Sequence, residues 1–207
     1  MGYFPFFMDL SERSGLIAGG GAVALRKAGK LLPFGPRLTV VAPQIHPALR
    51  QLPVEQILQR SLSPEDLPGR QVVVAAPGSR PDNLQIAELC RAEGILVDVA
   101  DDGAAGTFLF PALIQRGALT VGITTGGTSP GAAGYFRSRI EAGLPEHLEE
   151  ILDFIQMQRQ RLKQSVPEER QRRLLLRTLL EQAMEQERPL TDAEVRQILR
   201  NGAEGEA

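Results

Sequence analysis

Apolar positions follow two rhythms along the first hundred residues: short continuous runs, and longer stretches with helical spacing. The continuous runs are Leu16-Ile17-Ala18, residues 37–42 (RLTVVA), 71–76 (QVVVAA) and 95–100 (ILVDVA). Runs of this kind, bounded by Gly and Pro, predict strands buried on both faces of a sheet. Between them, residues 22–32 and 81–92 repeat apolar side chains at helical spacing and predict helices. Pro33 and Gly35 end the first, and Pro81 suits the first turn of the second. Residues 47–52 read as a short helix, 54–59 as a further strand, and 3–10 as an edge strand interrupted by Pro5. Strands alternating with helices predict a parallel, doubly wound α/β sheet. Ligands bind such sheets beyond the carboxyl ends of the strands. The loops at 19–21, 43–46, 77–82 and 101–107 are therefore expected to share one cleft.

Past residue 106 the pattern changes. Residues 107–114 and 119–125 predict two strands joined at Arg116-Gly117 as a hairpin. A helix is predicted over 130–142, with Ser129 as N-cap and Pro130 in its first position. From Pro145 the chain is helical and highly charged: Leu148, Ile151, Leu152 and Ile155 recur at helical spacing, as do Leu175, Leu176, Leu179 and Leu180. Thr191-Asp192-Ala193-Glu194 is a capping box opening a last helix that Asn201-Gly202 would end, with 203–207 as a disordered tail. The expected division is residues 1–106, 107–144 and 145–207.

The stretch around which the chain is organised is SGLIAGGGAVALRKA, residues 14–28. Gly19-x-Gly21-x-x-Ala24 has the spacing of a dinucleotide-binding βαβ unit, after a strand and before a helix. Gly19 permits the tight turn, Gly21 lets the backbone approach a pyrophosphate, and Ala24 lets helix and strand pack closely. Free N–H groups at the helix start then face the phosphates. The second strand ends Val41-Ala42-Pro43-Gln44, with neither an acidic residue for a ribose 2′-OH nor an adjacent Arg for a 2′-phosphate. Local residues leave the choice of cofactor open.

Net charge is -2, so no global basic field draws nucleic acid. The single cysteine, Cys90, excludes an intramolecular disulfide and falls in the apolar register of a helix, where an inert buried thiol is expected. The opening residues are too short an apolar run to span a bilayer, so a cytoplasmic protein is expected. His46 and His147 belong to no metal-ligand spacing and are expected in surface or capping roles. Asp101-Asp102 follow a strand where a parallel sheet places catalytic groups, and read equally as a general acid or base, with one of the pair facing the cleft, or as a polar turn with Gly103. Gly126, Gly127, Thr128 and Ser129 form a second Gly-rich turn opening a helix, suited either to a substrate carboxylate or to tight packing at a subunit contact. Arg116, Arg137 and Arg139 read either as carboxylate partners or, taken singly, as solvated surface charges.

The stretches YFPFFMDL, GLIAGGGAVALRKAGKLL, LTVVAP, NLQIAELCRAEG, VDVADD, FLFPALIQRG, LTVGITTGGTSP and LPEHL occur in this order. Together they resemble the precorrin-2 dehydrogenase/sirohydrochlorin ferrochelatase module of siroheme biosynthesis over roughly residues 3–150. The resemblance implies a Rossmann-type NAD-binding domain, a central dimerisation segment and a small helical domain in an intertwined homodimer. It implies oxidation of precorrin-2 to sirohydrochlorin with NAD, and in some members insertion of ferrous iron. Asp101 matches the acid/base of the family, and Gly21, Ala22, Val23, Pro43 and Gln44 match its cofactor contacts, with Gly19 and Gly20 completing the turn. The missing acid after the second strand fits NAD in this family. Departures are Ala76-Pro77-Gly78 in place of Ala-Thr-Asp, Asp98-Val99-Ala100-Asp101 in place of Asn-Val-Val-Asp, and Thr125 where Ser is common. The expected activity is NAD-dependent precorrin-2 dehydrogenation, without a metal site, a nucleic-acid partner or a membrane span. The alternatives are a bifunctional dehydrogenase–ferrochelatase and, in another class, an NAD-responsive regulatory protein.

Overall fold

The unbroken apolar runs become neighbouring strands of one parallel sheet. In the computed structural model, which describes residues 3–204, the chain falls into two compact units, Met1–Phe110 and Pro111–Ala207. The first holds β1 (Ser14–Ala18), α1 (Ala22–Leu31), β2 (Arg37–Val41), β3 (Gln56–Leu58), β4 (Val72–Ala75), α2 (Arg80–Ala92) and β5 (Leu96–Val99). The strand order is β3-β2-β1-β4-β5, all pairs parallel. The order reverses between β1 and β4, the switch point of a Rossmann-type sheet. Leu16, Val73 and Val97 pack with Ile86, Ala87 and Cys90 of α2 on one face. Ile17, Val40 and Val74 pack with Ala24, Ala28 and Leu31 of α1 on the other. Burial on both faces is why these strands lack a polar alternation. Burial also pushes the Cys90 thiol up to about 11, which keeps it protonated and inert.

One buried pair interrupts this apolar packing. Lys27 lies in the core-facing stripe of α1 and Asp98 between Val97 and Val99 of β5, and both are buried. Lys27 Nζ donates to Asp98 Oδ2 at 2.7 Å, with the ammonium 4.0 Å from the centroid of the Phe110 ring. The departure at Asp98 is thus structural: it neutralises a lysine in the core. Removing one partner of a buried pair leaves an uncompensated charge, at about 3–5 kcal/mol. Asp98→Ala is expected to lose that much stability in urea denaturation, and Lys27→Met/Asp98→Leu far less. Equal losses in the two would show that packing, not charge, sets the cost.

Two expectations are corrected in this unit. Residues 3–10 form no strand: both sheet edges are made by other segments, Pro5 removes a ladder donor, and Phe4, Phe6 and Phe7 stand 84, 63 and 75% exposed. The short helix expected at 47–52 is present, as a 3₁₀ helix over Pro47–Gln51. No strand starts at Thr107: its N–H donates to the Val97 carbonyl at 2.7 Å and its hydroxyl accepts from Val97 N at 2.8 Å, tying it to β5.

In the second unit the hairpin is β6 (Ala112–Arg116) and β7 (Leu119–Ile123), antiparallel, closed by Arg116 opposite Leu119. Its turn is Gly117-Ala118, one residue later than predicted, with Gly117 at φ 53°. The helices are α3 (Pro130–Ala142), α4 (Leu148–Ser165), α5 (Glu169–Glu185) and α6 (Asp192–Glu204). Ser129 Oγ caps α3, accepting from Ala132 N at 3.2 Å. Ile151, Phe154, Leu175, Leu179, Val195 and Ile198 join α4, α5 and α6 in one core. The box at the start of α6 closes as the spacing requires: Glu194 Oε2 accepts from Thr191 N at 2.7 Å, and Thr191 Oγ1 from Glu194 N at 3.4 Å. α6 runs on to Glu204, past Gly202, because an interior glycine costs only about 1 kcal/mol and no proline follows. The rest of the expected disordered tail, 205–207, lies outside the described residues. Among the described residues no helix is long and apolar enough to cross a membrane, and no three His, Cys, Asp or Glu side chains gather as a metal site.

Candidate functional site

Beyond β1 the chain has little room. Gly19 takes φ 141°, and a Cβ there would sit 2.1 Å from the Ala76 carbonyl oxygen. A Cβ on Gly20 would sit 2.0 Å from the Gln44 carbonyl oxygen. Gly19 N donates to Val41 O at 2.9 Å, and Gly20 O accepts from His46 N at 2.7 Å. The turn is therefore wedged between the segments that leave β2 and β4. Gly21 is different, because a Cβ there would meet nothing within 4 Å. It caps α1 without a side-chain hydrogen bond, and no acidic residue stands in the first turn. The leading N–H groups of α1 thus have an open approach and no local anion, the arrangement that binds a phosphate at a helix start.

The approach leads into a cleft of about 930 Å³ at the switch point, near the upper end of small-molecule sites. Gly19, Gly20, Gly21, Ala22, Val23, Pro43 and Gln44, the residues assigned to the cofactor, all line it. So do Asp82, at the end of the 77–82 loop expected there, and Ser61, Leu62 and Gln85, which lie outside every segment expected at the cleft. The signal for Asp82 and Gln85 was their place in the opening turns of the helix after β4. His46 lines the cleft as well, and its Nδ1 accepts from Ala48 N at 3.2 Å in the capping role expected of it. Among the described lining residues there is no Lys or Arg, and Asp82 is the one carboxylate. Its Oδ2 accepts from Ser79 Oγ at 2.7 Å.

The loop at 101–107 does not share this cleft, contrary to expectation. β5 is the edge strand beyond β4, one strand removed from the switch point: Asp82 and Gln85 of α2 line the cleft, while buried Asn83 reaches toward the loop after β5. Asn83 Nδ2 donates to Asp101 Oδ1 at 2.6 Å, and Asp101 is otherwise exposed. Asp102 is spent on the turn itself: Oδ1 accepts from Ala104 N at 3.2 Å and Ala105 N at 3.3 Å, and Oδ2 pairs with Arg80 at 2.8 Å. The adjacent carboxylates therefore have different surroundings, one fixed in local structure and one presented to solvent.

In the second unit Gly126 and Gly127 take φ 64° and 85°, and the turn they make bonds to itself. Gly126 N donates to Thr124 Oγ1 at 3.1 Å, Thr128 N to Thr125 O at 3.1 Å, and Ser129 N to Thr125 Oγ1 at 3.1 Å. Arg116 Nε lies 3.0 Å from Glu149 Oε1, and its Nη2 donates to Glu146 O at 2.8 Å. Arg137 pairs with Glu141 at 3.7 Å along α3, and His147 Nδ1 lies 3.2 Å from Glu150 Oε2 at the surface.

Known proteins resemble this chain over its first unit and beyond it. The family described as putative NAD(P)-binding matches residues 6–112. A siroheme synthase of Pseudomonas paraeruginosa is 37% identical over 185 residues, covering 87% of this chain and 40% of that protein. A siroheme synthase of Ectopseudomonas mendocina is 38% identical over 175 residues, covering 84% and 38%. The chain thus spans about two fifths of the length of these curated relatives. Among solved structures, SirC, a precorrin-2 dehydrogenase, superposes with a TM-score of 0.78 at 22% identity, covering 98% of this chain and 100% of that one, a likeness of fold.

Proposed function

The chain belongs to the putative NAD(P)-binding family, and from that premise we propose that it is an NAD-dependent dehydrogenase of the cytoplasm that oxidises precorrin-2 to sirohydrochlorin. The observation that carries the reading is the cleft at the switch point, where Gly21 leaves the start of α1 open to an anion. The identity to siroheme synthases supports the tetrapyrrole substrate.

NAD, when bound, supplies the hydride acceptor. The backbone of Gly19, Gly20, Gly21, Ala22 and Val23 would hold its pyrophosphate, with Pro43 and Gln44 as further contacts to the cofactor. Oxidation of a ring carbon releases a hydride and a proton. Asp101 takes the proton, with one oxygen held by Asn83 and the other free to accept. Asp102 is a poorer candidate because the turn and Arg80 occupy it. The reading assigns Gly126, Gly127, Thr128, Ser129 and Arg116 to peripheral carboxylates of the substrate. It keeps the division into 1–106, 107–144 and 145–207, with the middle segment as the contact of a homodimer. Exposed Tyr135, Phe136 and Ile140 on α3 support that contact.

The lining of the cleft supports NAD over NADP. A 2′-phosphate would find no Lys or Arg among the described lining residues, and would share the cleft with the Asp82 carboxylate. One missing charge-assisted hydrogen bond corresponds to about 1.5–3 kcal/mol, so kcat/KM with NAD should exceed that with NADP by about tenfold or more. A spectral assay of precorrin-2 with each cofactor tests both parts. Equal use of NADP overturns the cofactor assignment, and no turnover with either overturns the activity.

A further inference from the structure

Asn83 carries a cost with no structural return. It is 2% exposed, in the first turns of α2, and its Nδ2 donates to Asp101 Oδ1 at 2.6 Å. Its own amide oxygen is buried with no hydrogen-bond partner among the described residues. A buried unpaired acceptor costs about 1–3 kcal/mol, and an apolar side chain of similar size would avoid that cost. The bond to Asp101 does not offset it, because Asp101 is exposed and water would satisfy its carboxylate in place of the amide.

We propose that Asn83 is a positioning residue for Asp101, retained at the expense of stability because its N–H orients the carboxylate. The inference rests on the proposed acid–base role of Asp101. An exposed aspartate turns freely about two torsions and spends little time in any one orientation. Asn83 removes that freedom from one side. Its side chain is locked by burial, and its backbone N–H donates to Ser79 O at 3.0 Å within the opening turn of α2. The rigid amide holds Oδ1 and leaves Oδ2 as the proton acceptor. A neutral donor does this without cancelling the carboxylate charge, which a lysine or arginine at this place would do. Fixing a reacting group on a packed helix is how a site gains geometric precision, and misplacement by about 1 Å can cost about 100-fold in rate.

The test compares wild type, Asn83→Leu, Asn83→Ser, Asp101→Asn and Asn83→Leu/Asp101→Asn in steady-state turnover of precorrin-2 and in thermal melting. Asn83→Leu is expected to lower kcat by about 10- to 100-fold, leave KM for NAD unchanged, and melt no lower than wild type. Asn83→Ser, which keeps a donor, recovers part of the kcat. In the Asp101→Asn background the leucine changes nothing further, because the group it would have positioned is gone. A lower melting point with kcat within twofold of wild type makes Asn83 a structural residue and overturns the inference. So does a leucine effect that persists in full without the Asp101 carboxylate. Near-normal turnover in Asp101→Asn alone is a separate result, and it overturns the acid–base reading itself.

Discussion

Asp101→Asn is expected to bind NAD as wild type does and to lose about 100- to 10,000-fold in dehydrogenase turnover, the usual cost of a missing general base. The amide keeps the shape of the carboxylate and can still accept the Asn83 N–H through its oxygen. What it loses is the capacity to take a proton. NAD affinity should hold because Asp101 does not line the cleft. Asp102→Asn is the matched control. Its side chain is engaged with Ala104, Ala105 and Arg80, so its loss should weaken the turn and leave kcat nearly intact. Steady-state kinetics on both variants decides the matter. A raised KM with kcat preserved in Asp101→Asn would make the residue a substrate contact instead of a base. A larger defect in Asp102→Asn would show that the proton passes through the other carboxylate.

Gly21→Asp is the second large effect: a folded protein that has lost NAD affinity by about 100-fold or more. At Gly19 or Gly20 a side chain would drive into carbonyl backbone, and loss of binding would be confounded with loss of fold. At Gly21 the side chain enters open space. Aspartate is also a favoured N-cap, and α1 has no side-chain cap of its own, so the substitution should hold or raise the melting point. The new carboxylate satisfies the N–H groups at the helix start and faces the pyrophosphate with like charge. At about 1.4 kcal/mol per tenfold, losing two or three such hydrogen bonds accounts for the expected drop. Calorimetric titration with NAD measures it. Unchanged affinity in a folded variant would remove the start of α1 from the cofactor site.

The residues explain which parts of this architecture could be read in advance. β1, β2, β4 and β5 were legible because burial on both faces leaves unbroken apolar runs, and α1, α2 and α3 because their ends carry Gly, Pro or Ser signals. The segment 3–10 misled because aromatic residues and a single proline look like an edge strand whether or not a partner strand exists. The cleft residues near the Gly-rich turn were legible from their chemistry. Ser61 and Leu62 were not, since they reach the cleft only through the strand order. The same order explains why the loop after β5 was placed wrongly, because β5 lies beyond β4 at the edge of the sheet and not at the switch point. Lys27 and Asp98 left a signal that was readable: opposite charges, each in a register otherwise reserved for apolar side chains. The unpaired oxygen of Asn83 left none, because it depends on how one amide meets one carboxylate across the turn.

The ion pair inside the sheet also bears on how the protein is made. Lys27 leaves the ribosome 71 residues ahead of Asp98. The central strand, β1, is likewise made first and flanked on its second side only when β4 appears. A nascent chain that closed α1 onto the growing sheet too early would bury an ammonium with no counter-charge, at a cost of several kcal/mol. Partial versions of the first unit are therefore poor resting places during synthesis. The nascent segment is expected to stay open until β5 is made, so that the unit folds as a whole.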